Sequence, residues 1–562
     1  MKKIQIIVLL IGTSLFAQGG KDYGQFAPDD AYIDSSGFAY YGAENEWTRR
    51  MFSEKATGRF YKRRGQRQMI EIIEGRIDEA IGLAKRRLAD DRKDPESLYI
   101  LTVAYARQGK AKLAYKYMRK ALKAGLPFSR FVAGPRELLE PLINSTRFKK
   151  YYANHPISIV HGPLLGAVSA TGANIWLRTA TASEIEVTLR HHTDSQAPVS
   201  AIIRTDAAGN YAGVAKIEGL LPDSQYSYSI KVDGREIAPE YEQLFATYPE
   251  PGVASDFKIG FGGGAGYTPQ NEYMWSTISH RNLDAMLLLG DNVYIDMPTL
   301  PGAFHDYTYY RLQSRPEFRA LISHTPIFTI WDDHDSGIDD VWMGPFKDRP
   351  VWKMPLLEHF KSNWANPDAG SAEYPGCWYK FTISEVDFFM LDGRTWRTNP
   401  FAPTTTMLGP VQKAWLLDAL KTSNATFKVV ISPVPWAPNA KPNSKDTWDG
   451  HSAEREEIFS AIRDNRIEGV ILLSADRHRS DAWKIDVEGS YPLYEFCSSK
   501  LTNTHTHDNM QGTIFSYNEK CSFGEISFNM IEDEKSLTYR TINIDNEVID
   551  VFTLARAQLV FE

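Results

Sequence analysis

Four short apolar runs in the second half of the chain are each followed directly by charged residues, and this pattern constrains the fold more than any other. The runs are residues 285–289, 327–330, 386–391 and 470–473. Short apolar runs flanked by turn residues are typical of fully buried strands. Because such strands belong to sheets covered on both faces, residues 251–562 are predicted to form an α/β layered domain.

The residues that follow these runs predict a metal site. In an open α/β sheet the carboxyl ends of the strands meet at one crevice, so side chains that follow different strands are expected to converge. Several carboxylates at one point repel each other and are costly to desolvate, and bound cations remove both costs. The converging acidic and histidine residues are Asp291, Asp332, Asp333, His334, Asp335, Asp476 and His478.

The periodicity of the chain changes twice before this region, which predicts a multidomain protein. The length of 562 residues suits three to four domains. Apolar residues recur at helical spacing before residue 155 and then alternate as in half-buried strands up to residue 250. The predicted divisions are a signal peptide (1–19), a basic and poorly structured segment (20–68), a helical region (69–155), a β-sandwich (156–250) and the α/β layered domain (251–562).

The two middle regions resemble known modules. The helical region resembles tetratricopeptide-like (TPR-like) hairpins, although it is too short to form a complete array. Residues 220–226 (Leu-Leu-Pro-Asp-Ser-Gln-Tyr) resemble the tyrosine corner of fibronectin type III-like sandwiches. We therefore predict a structural role for Tyr226, whose hydroxyl should bond back to nearby backbone.

The beginning of the chain is typical of a secretory signal. Lys2 and Lys3 precede the apolar residues 4–16, and Ala17 suits a cleavage point. An apolar run of this length is short for a membrane span, so we favour export over an N-terminal anchor. The protein is expected in the periplasm or outside the cell, with surface association left open and without a transmembrane span.

The charge of the chain argues against nucleic-acid specificity, because the formal net charge is −7. A local basic run covers residues 49–67, and either it contacts an anionic surface or it is a solvated helix face. We favour the solvated face. The basic residues of this run are Arg49, Arg50, Lys55, Arg59, Lys62, Arg63, Arg64 and Arg67.

Three segments resemble the motifs of the PhoD-like alkaline phosphatase D family, which belongs to the calcineurin-like metallophosphoesterases. They are residues 290–294 (Gly-Asp-Asn-Val-Tyr), 331–335 (Trp-Asp-Asp-His-Asp) and 474–478 (Ser-Ala-Asp-Arg-His). Residues 391–397 (Leu-Asp-Gly-Arg-Thr-Trp-Arg) resemble a further family segment. The resemblance implies a metallophosphoesterase-like layered sandwich and a site that hydrolyses phosphate esters.

The resemblance also implies a role for each matching residue. Asp291 would bridge two metal ions, and Tyr294 would ligate one of them as a phenolate. His334 would lie near the phosphoryl group, either as a ligand or as an acid toward the leaving oxygen. The implied catalytic residues are His334, Asp291 and Asp333; the metal ligands are Asp291, Tyr294, Asp332, Asp333, Asp476 and His478; the substrate-binding residues are Asp339 and Arg394.

One departure from the family pattern concerns the identity of the metal. Gly264 stands where the family has an iron-binding cysteine, and glycine has no ligand atom. The resemblance still implies two or more ions, Ca²⁺ together with Fe³⁺ or Mn²⁺. The missing thiolate favours hard ions, which prefer oxygen ligands. Gly263 and Gly264 are instead predicted to cradle a phosphate through their backbone N–H groups.

We therefore predict an exported phosphoesterase that cleaves mono- or diesters, of small molecules or polymers, by attack of a metal-bound hydroxide. The alternative is a catalytically degraded relative that acts as a binding module through its helical region. Retention of the motif side chains favours the enzyme. His505 and His507 either bind a further metal or lie in a polar loop, and we favour the loop.

Overall fold

The computed structural model describes residues 31–33, 39–41, 61–193 and 196–562. The predicted signal peptide lies outside the described residues, as do Arg49, Arg50, Lys55 and Arg59. Two short antiparallel strands, β1 (Ala31–Ile33) and β2 (Ala39–Tyr41), pair within the segment that was predicted to be poorly structured. That prediction is also wrong for residues 61–68, which form a short 3-10 helix and the beginning of the first α-helix.

Residues 66–154 are mainly helical, as their apolar spacing predicts. Asp94 caps one helix by accepting a hydrogen bond from Ser97 N, and Ser145 caps another by accepting from Phe148 N. The likeness to TPR hairpins stays a prediction. The helices described before residue 155 are α1 (Gln66–Ile73), α2 (Ile77–Asp90), α3 (Pro95–Arg107), α4 (Ala111–Lys123), α5 (Ser129–Ala133), α6 (Arg136–Ile143) and α7 (Thr146–Asn154).

The next region consists of strands that belong to two sheets. One sheet has the order β10-β8-β5-β6, with β9 paired to β8. The strands β3, β4 and β7 instead belong to a nine-stranded sheet, whose other strands come from residues 257–555. The Tyr226 hydroxyl accepts a hydrogen bond from Leu221 N at 2.8 Å, which is the backbone contact that we predicted. The strands are β3 (Ile159–Gly166), β4 (Gly172–Thr179), β5 (Ser183–His191), β6 (Val199–Thr205), β7 (Ala212–Glu218), β8 (Gln225–Val232), β9 (Arg235–Ile237) and β10 (Leu244–Ala246).

The region from residue 257 onward is built on two large sheets. Their orders are β23-β22-β21-β11-β12-β13-β3-β4-β7 and β14-β15-β16-β17-β19-β18-β20. The strands of this region are β11 (Phe257–Gly262), β12 (Ala285–Leu289), β13 (Ile327–Ile330), β14 (Tyr379–Ile383), β15 (Val386–Met390), β16 (Phe427–Ile431), β17 (Val470–Ser474), β18 (Ser480–Ile485), β19 (Leu493–Cys497), β20 (Phe515–Tyr517), β21 (Ser522–Asn529), β22 (Ser536–Asn543) and β23 (Val548–Ala555).

The two sheets pack face to face through aromatic side chains. The rings of Phe328 and Phe381 stack with centroids 3.9 Å apart, and Phe388 lies 6.3 Å from Phe257. In each sheet the central strands are parallel, β11-β12-β13 in one and β15-β16-β17-β19 in the other. The loops at their carboxyl ends are linked by a bridge between Gly263 and Ser499, so residues from both sheets meet there.

Helices flank the two sheets and complete the layers. Cys377, Cys497 and Cys521 are buried and free, so none of them forms a disulfide. Among the described helices none is long and apolar enough to cross a membrane. The helices are α8 (Met274–Ser279), α9 (Ala303–Gln313), α10 (Pro316–Ile322), α11 (Asp333–Ser336), α12 (Lys353–Lys361), α13 (Gly409–Thr422) and α14 (Ser452–Asp464).

Candidate metal centre

The loop after β12 brings Asp291 and Tyr294 to the edge shared by the two sheets. Gly290 has φ +98°, and a Cβ at this position would lie 2.4 Å from Asp332 Cβ, so a larger residue would separate the two strand ends. Asp291 itself has φ 53°, an uncommon conformation that concentrates at functional sites. The Tyr294 hydroxyl donates to Asp291 Oδ2 at 2.8 Å and accepts from Asn503 Nδ2 at 2.8 Å.

Two groups of side chains in the described part of the chain could hold a metal ion. In each group, ligand atoms from all three members lie within 4.8 Å of one another. Asp333 belongs to both groups and therefore lies between them. The groups are Asp291, Asp333 and His334, and Asp333, Asp339 and Asp340.

The electrostatics of Asp291 favour a bound cation. Burial raises the pKa of Asp291 well above its usual range, and the neighbouring carboxylates of Asp333 and Asp332 raise it further. Among the described residues, Asp291 Oδ1 is buried without a hydrogen-bond partner. A buried carboxyl oxygen without a donor is unfavourable unless a cation compensates it.

His334 is held by a carboxylate that the sequence analysis did not single out. Asp296 Oδ1 lies 2.6 Å from His334 Nδ1, and His334 Nε2 lies 3.5 Å from Asp339 Oδ1. Burial alone would lower the pKa of His334, but Asp296 and Asp291 outweigh it and raise this pKa well above its usual range. The sequence feature that could have identified Asp296 is its position, two residues after Tyr294 in a loop that follows a strand.

Asp332 and Arg394 form a buried ion pair beside the two groups of metal-ligating side chains, and Arg394 Nη2 also lies 3.9 Å from Asp333 Oδ1. Arg394 Nε donates to Asp332 Oδ1 at 2.5 Å, and Arg394 Nη1 donates to Asp446 Oδ1 at 2.7 Å. Arg394 is fully buried, and Asp332 belongs to neither of the metal-ligating groups found among the described residues. Asp332 Oδ2 is buried without a hydrogen-bond partner among the described residues, as Asp291 Oδ1 is, so the metal role of Asp332 and the substrate role of Arg394 stay predictions.

Asp476 and His478 lie at the end of β17, beside the two groups of metal-ligating side chains. Asp476 Oδ2 lies 3.9 Å from Lys441 Nζ and 3.2 Å from Arg477 Nη1, and these cations outweigh burial and lower the pKa of Asp476. His478 Nδ1 is buried without a hydrogen-bond partner among the described residues. Neither residue belongs to a three-ligand group in the described part of the chain.

The pair His505 and His507 lies next to His478. The His478 ring stacks on that of His505 with centroids 4.8 Å apart and lies 5.7 Å from that of His507. These residues belong to a loop, as we favoured from the Thr/Asn-rich surroundings. The structure nevertheless brings the two imidazoles against a predicted metal ligand, which sequence spacing does not reveal.

The phosphate cradle predicted at Gly263 and Gly264 is not supported, because both N–H groups are already used. Gly263 N donates to Ser498 O at 3.2 Å, and Gly264 N donates to Gly290 O at 3.3 Å. Gly264 has φ +74°, and a Cβ there would lie 3.4 Å from His478 Nδ1. A side chain at position 264 would therefore lie close to His478, but glycine offers no ligand atom there.

The basic run contributes two side chains to the site, so the solvated face that we favoured is wrong for Lys62 and Arg63. They are 6% and 2% exposed. Lys62 Nζ lies 3.6 Å from the centre of the Tyr294 ring, and Arg63 Nη1 lies 2.5 Å from Asp296 Oδ2. Burial lowers the pKa of Lys62 to about 7, although nearby carboxylates oppose the decrease.

Comparison with known proteins gives two family matches. A family model described as PhoD-like phosphatase matches residues 259–548, and a model described as Domain of unknown function (DUF7800) matches residues 157–250. Alkaline phosphatase D of Bacillus subtilis (strain 168) is 24% identical over 329 residues, which are 50% of this chain and 55% of that protein. The chain thus spans about half the length of this curated relative.

Two solved structures share the fold. The structure of PhoD matches with a TM-score of 0.56 at 16% identity, over 70% of this chain and 91% of the other. A purple acid phosphatase from yellow lupin (Lupinus luteus) seeds matches with a TM-score of 0.53 at 12% identity, over 71% of this chain and 75% of the other. These likenesses confirm the predicted metallophosphoesterase-like fold.

Proposed function

The chain belongs to the PhoD-like phosphatase family, and we propose that it is a metal-dependent phosphoesterase that hydrolyses phosphate mono- or diesters. The observation that carries this proposal is the convergence of Asp291, Asp333 and His334 on a buried point within 4.8 Å. Burial of this many ionisable groups at strand ends lowers the stability of the fold. Such costly burial is typical of an active site.

The residues present fit a metal ion. Asp291 offers a buried oxygen with no hydrogen-bond partner in the described part of the chain, and Asp333 lies between two groups of donors. We propose that Asp291, Asp333, Asp339 and Asp340 hold the metal ions, with Tyr294, Asp476 and His478 completing the ligand set by family resemblance. When bound, the ions supply Lewis acidity toward water and toward the phosphoryl oxygens.

The donor set favours hard ions. It consists of carboxylate and phenol oxygens and an imidazole, and Gly264 provides no thiolate. We propose Ca²⁺ together with Mn²⁺ or Fe³⁺. Metal analysis of the purified protein by mass spectrometry tests this assignment.

We propose that His334 donates a proton to the leaving oxygen. Asp296 holds Nδ1, which orients the ring and leaves Nε2 directed toward Asp339. Burial lowers the pKa of His334, but the Asp296 carboxylate raises it and so favours the protonated imidazole. A protonated and oriented imidazole is suited to protonate an alkoxide or phenolate as it departs.

The proposal is tested by assays on aryl phosphate mono- and diesters after dialysis against chelator and addition of Ca²⁺, Mn²⁺ or iron. We expect hydrolysis that depends on added metal, and the ratio of the two rates decides between monoester and diester preference. A folded protein that binds none of these ions and cleaves neither substrate would instead favour the binding module.

We also propose that the protein is exported. The support is the sequence pattern of residues 1–19, with Lys2 and Lys3 before an apolar run and Ala17 after it. Mass spectrometry of the N-terminal peptide of the protein isolated from its source tests export, since cleavage near Ala17 is the expected result.

A further inference from the structure

We propose that Lys62 binds the phosphoryl group of the substrate, so that the segment 61–66 (called the N-terminal strap) is part of the active site. This inference rests on the phosphoesterase function proposed above. The strap ends at Gln66, the first residue of α1, and lies outside the region that matches the phosphatase family.

The position of Lys62 supports this role. Its Nζ lies 3.6 Å from the centre of the Tyr294 ring, and the residue is 6% exposed. The carboxyl groups of Asp291, Asp296 and Asp339 interact electrostatically with this ammonium. The lysine thus lies among residues that converge from two strand ends.

The residues beside Lys62 fix the strap to the loop after β12. Gln66 Nε2 donates to Tyr294 O at 2.6 Å, and Arg63 Nη1 donates to the same oxygen at 3.4 Å. Arg63 also pairs with Asp296 at 2.5 Å. The strap is therefore attached to the loop that carries Tyr294 and Asp296.

The backbone of the strap is held from its other side by α9. Arg311 donates through Nη2 to Lys62 O at 2.8 Å and through Nη1 to Arg64 O at 3.0 Å. Asp94, the cap of α3, accepts from the Tyr61 hydroxyl at 2.9 Å and pairs with Arg64 at 3.1 Å. The helical region therefore helps to hold Lys62 in place, which is the preorganisation that a binding residue needs.

Charge balance indicates a phosphate as the partner of Lys62. A buried ammonium needs an anion close by, and the carboxylates provide it while they hold no metal ion. Once cations bind those carboxylates, the ammonium has excess positive charge around it. An anionic phosphoryl group compensates both, and lysine is a common point-charge ligand of phosphate.

The test is the affinity of the metal-loaded protein for inorganic phosphate, measured by titration calorimetry, for the wild type, Lys62→Met, Lys62→Arg and the exposed control Lys112→Met. We expect Lys62→Met to raise the phosphate Kd at least ~10-fold, the scale of one lost hydrogen bond to a charged group. Lys62→Arg should retain most of the affinity, Lys112→Met should match the wild type, and the metal content should stay unchanged.

Two outcomes overturn the assignment of Lys62. An unchanged phosphate Kd in Lys62→Met would do so, and so would a higher metal content with faster ester cleavage, since Lys62 would then occupy a metal position. A wild-type protein that neither binds phosphate nor cleaves aryl phosphates with any metal would refute the proposed function itself. The two failures are therefore distinguishable.

Discussion

Arg63 and Asp296 form a buried ion pair, with Nη1 2.5 Å from Oδ2, that joins the N-terminal strap to the loop after β12. The other oxygen of Asp296 lies 2.6 Å from His334 Nδ1. Burial would raise the pKa of Asp296, but Arg63 and His334 outweigh it and hold this pKa below its usual range. The carboxylate that orients His334 is thus kept ionised by a residue far away in the sequence.

Replacement of Arg63 by methionine should lower both kcat and stability. Asp296 would remain buried without its cation, a change worth about 3–5 kcal/mol in buried ion pairs. We expect kcat to fall at least ~10-fold with a smaller change in KM, and Arg63→Lys to restore part of it. Steady-state kinetics and chemical denaturation check this, with the exposed Arg92→Met as control; equal kcat in both variants would contradict it.

Asp291→Asn and His334→Ala should each reduce turnover by at least ~100-fold, the scale of one lost electrostatic or general-acid contribution. Aryl phosphate hydrolysis by variants with native circular dichroism measures the effect. Asp464→Asn and His155→Ala change exposed residues of the same types and should retain the wild-type rate. Wild-type rates in both site variants would refute their assignment.

Arg394→Ala should destabilise the fold by about 3–5 kcal/mol, because Asp332 and Asp446 would remain buried without their shared cation. The free energy of unfolding from urea titration measures this. In the control Arg204→Ala, whose side chain is 82% exposed, the loss should stay below about 1 kcal/mol. An Arg394→Ala variant with unchanged stability and a raised KM would instead favour the substrate-binding role predicted for Arg394.

Metal binding should raise the midpoint temperature of unfolding, because ions that bind only the folded state stabilise it by about 2.7 kcal/mol at a concentration of 100 times Kd. Chelation should lower this temperature and addition of Ca²⁺ or Mn²⁺ should restore it. In Asp333→Asn the shift should shrink, since Asp333 belongs to both groups of metal-ligating side chains. Identical shifts in both proteins would place the ions elsewhere.

Stability should fall in acid through His305. This residue accepts from Gly302 N through Nδ1 at 3.3 Å and contacts Met297 O through Nε2 at 3.0 Å, and burial lowers its pKa to about 4. The unfolded chain takes up a proton below about pH 6.5, so the contribution of His305 is full above that pH and is lost toward pH 4.

Denaturation at pH 7 and pH 5 measures this contribution. Between these values the wild type should lose about 2 kcal/mol more than His305→Gln, since each pH unit in the window is worth about 1.4 kcal/mol. Equal losses in the two proteins would mean that His305 is not responsible.

Sequence periodicity located the strands that carry the site. The strands β12, β13 and β17 match the apolar runs, because fully buried strands must be apolar along their whole length. The acidic and histidine residues after them could be placed at one edge, because the carboxyl ends of parallel strands share it. Local pattern could not tell how adjacent carboxylates differ: Asp332 pairs with Arg394 at 2.5 Å, whereas Asp333 belongs to both groups of metal-ligating side chains among the described residues.

By itself the sequence determined the helical, β-rich and layered regions, the motif residues and the family resemblance, since these depend on residues that are close together along the chain. Only the tertiary structure decided that Lys62 and Arg63, in a basic run whose sequence is typical of a solvated face, are buried beside the site. A basic side chain is well solvated at the surface, and carboxylates offset part of its desolvation cost when it is buried. Its environment therefore depends on long-range packing, which no local spacing records.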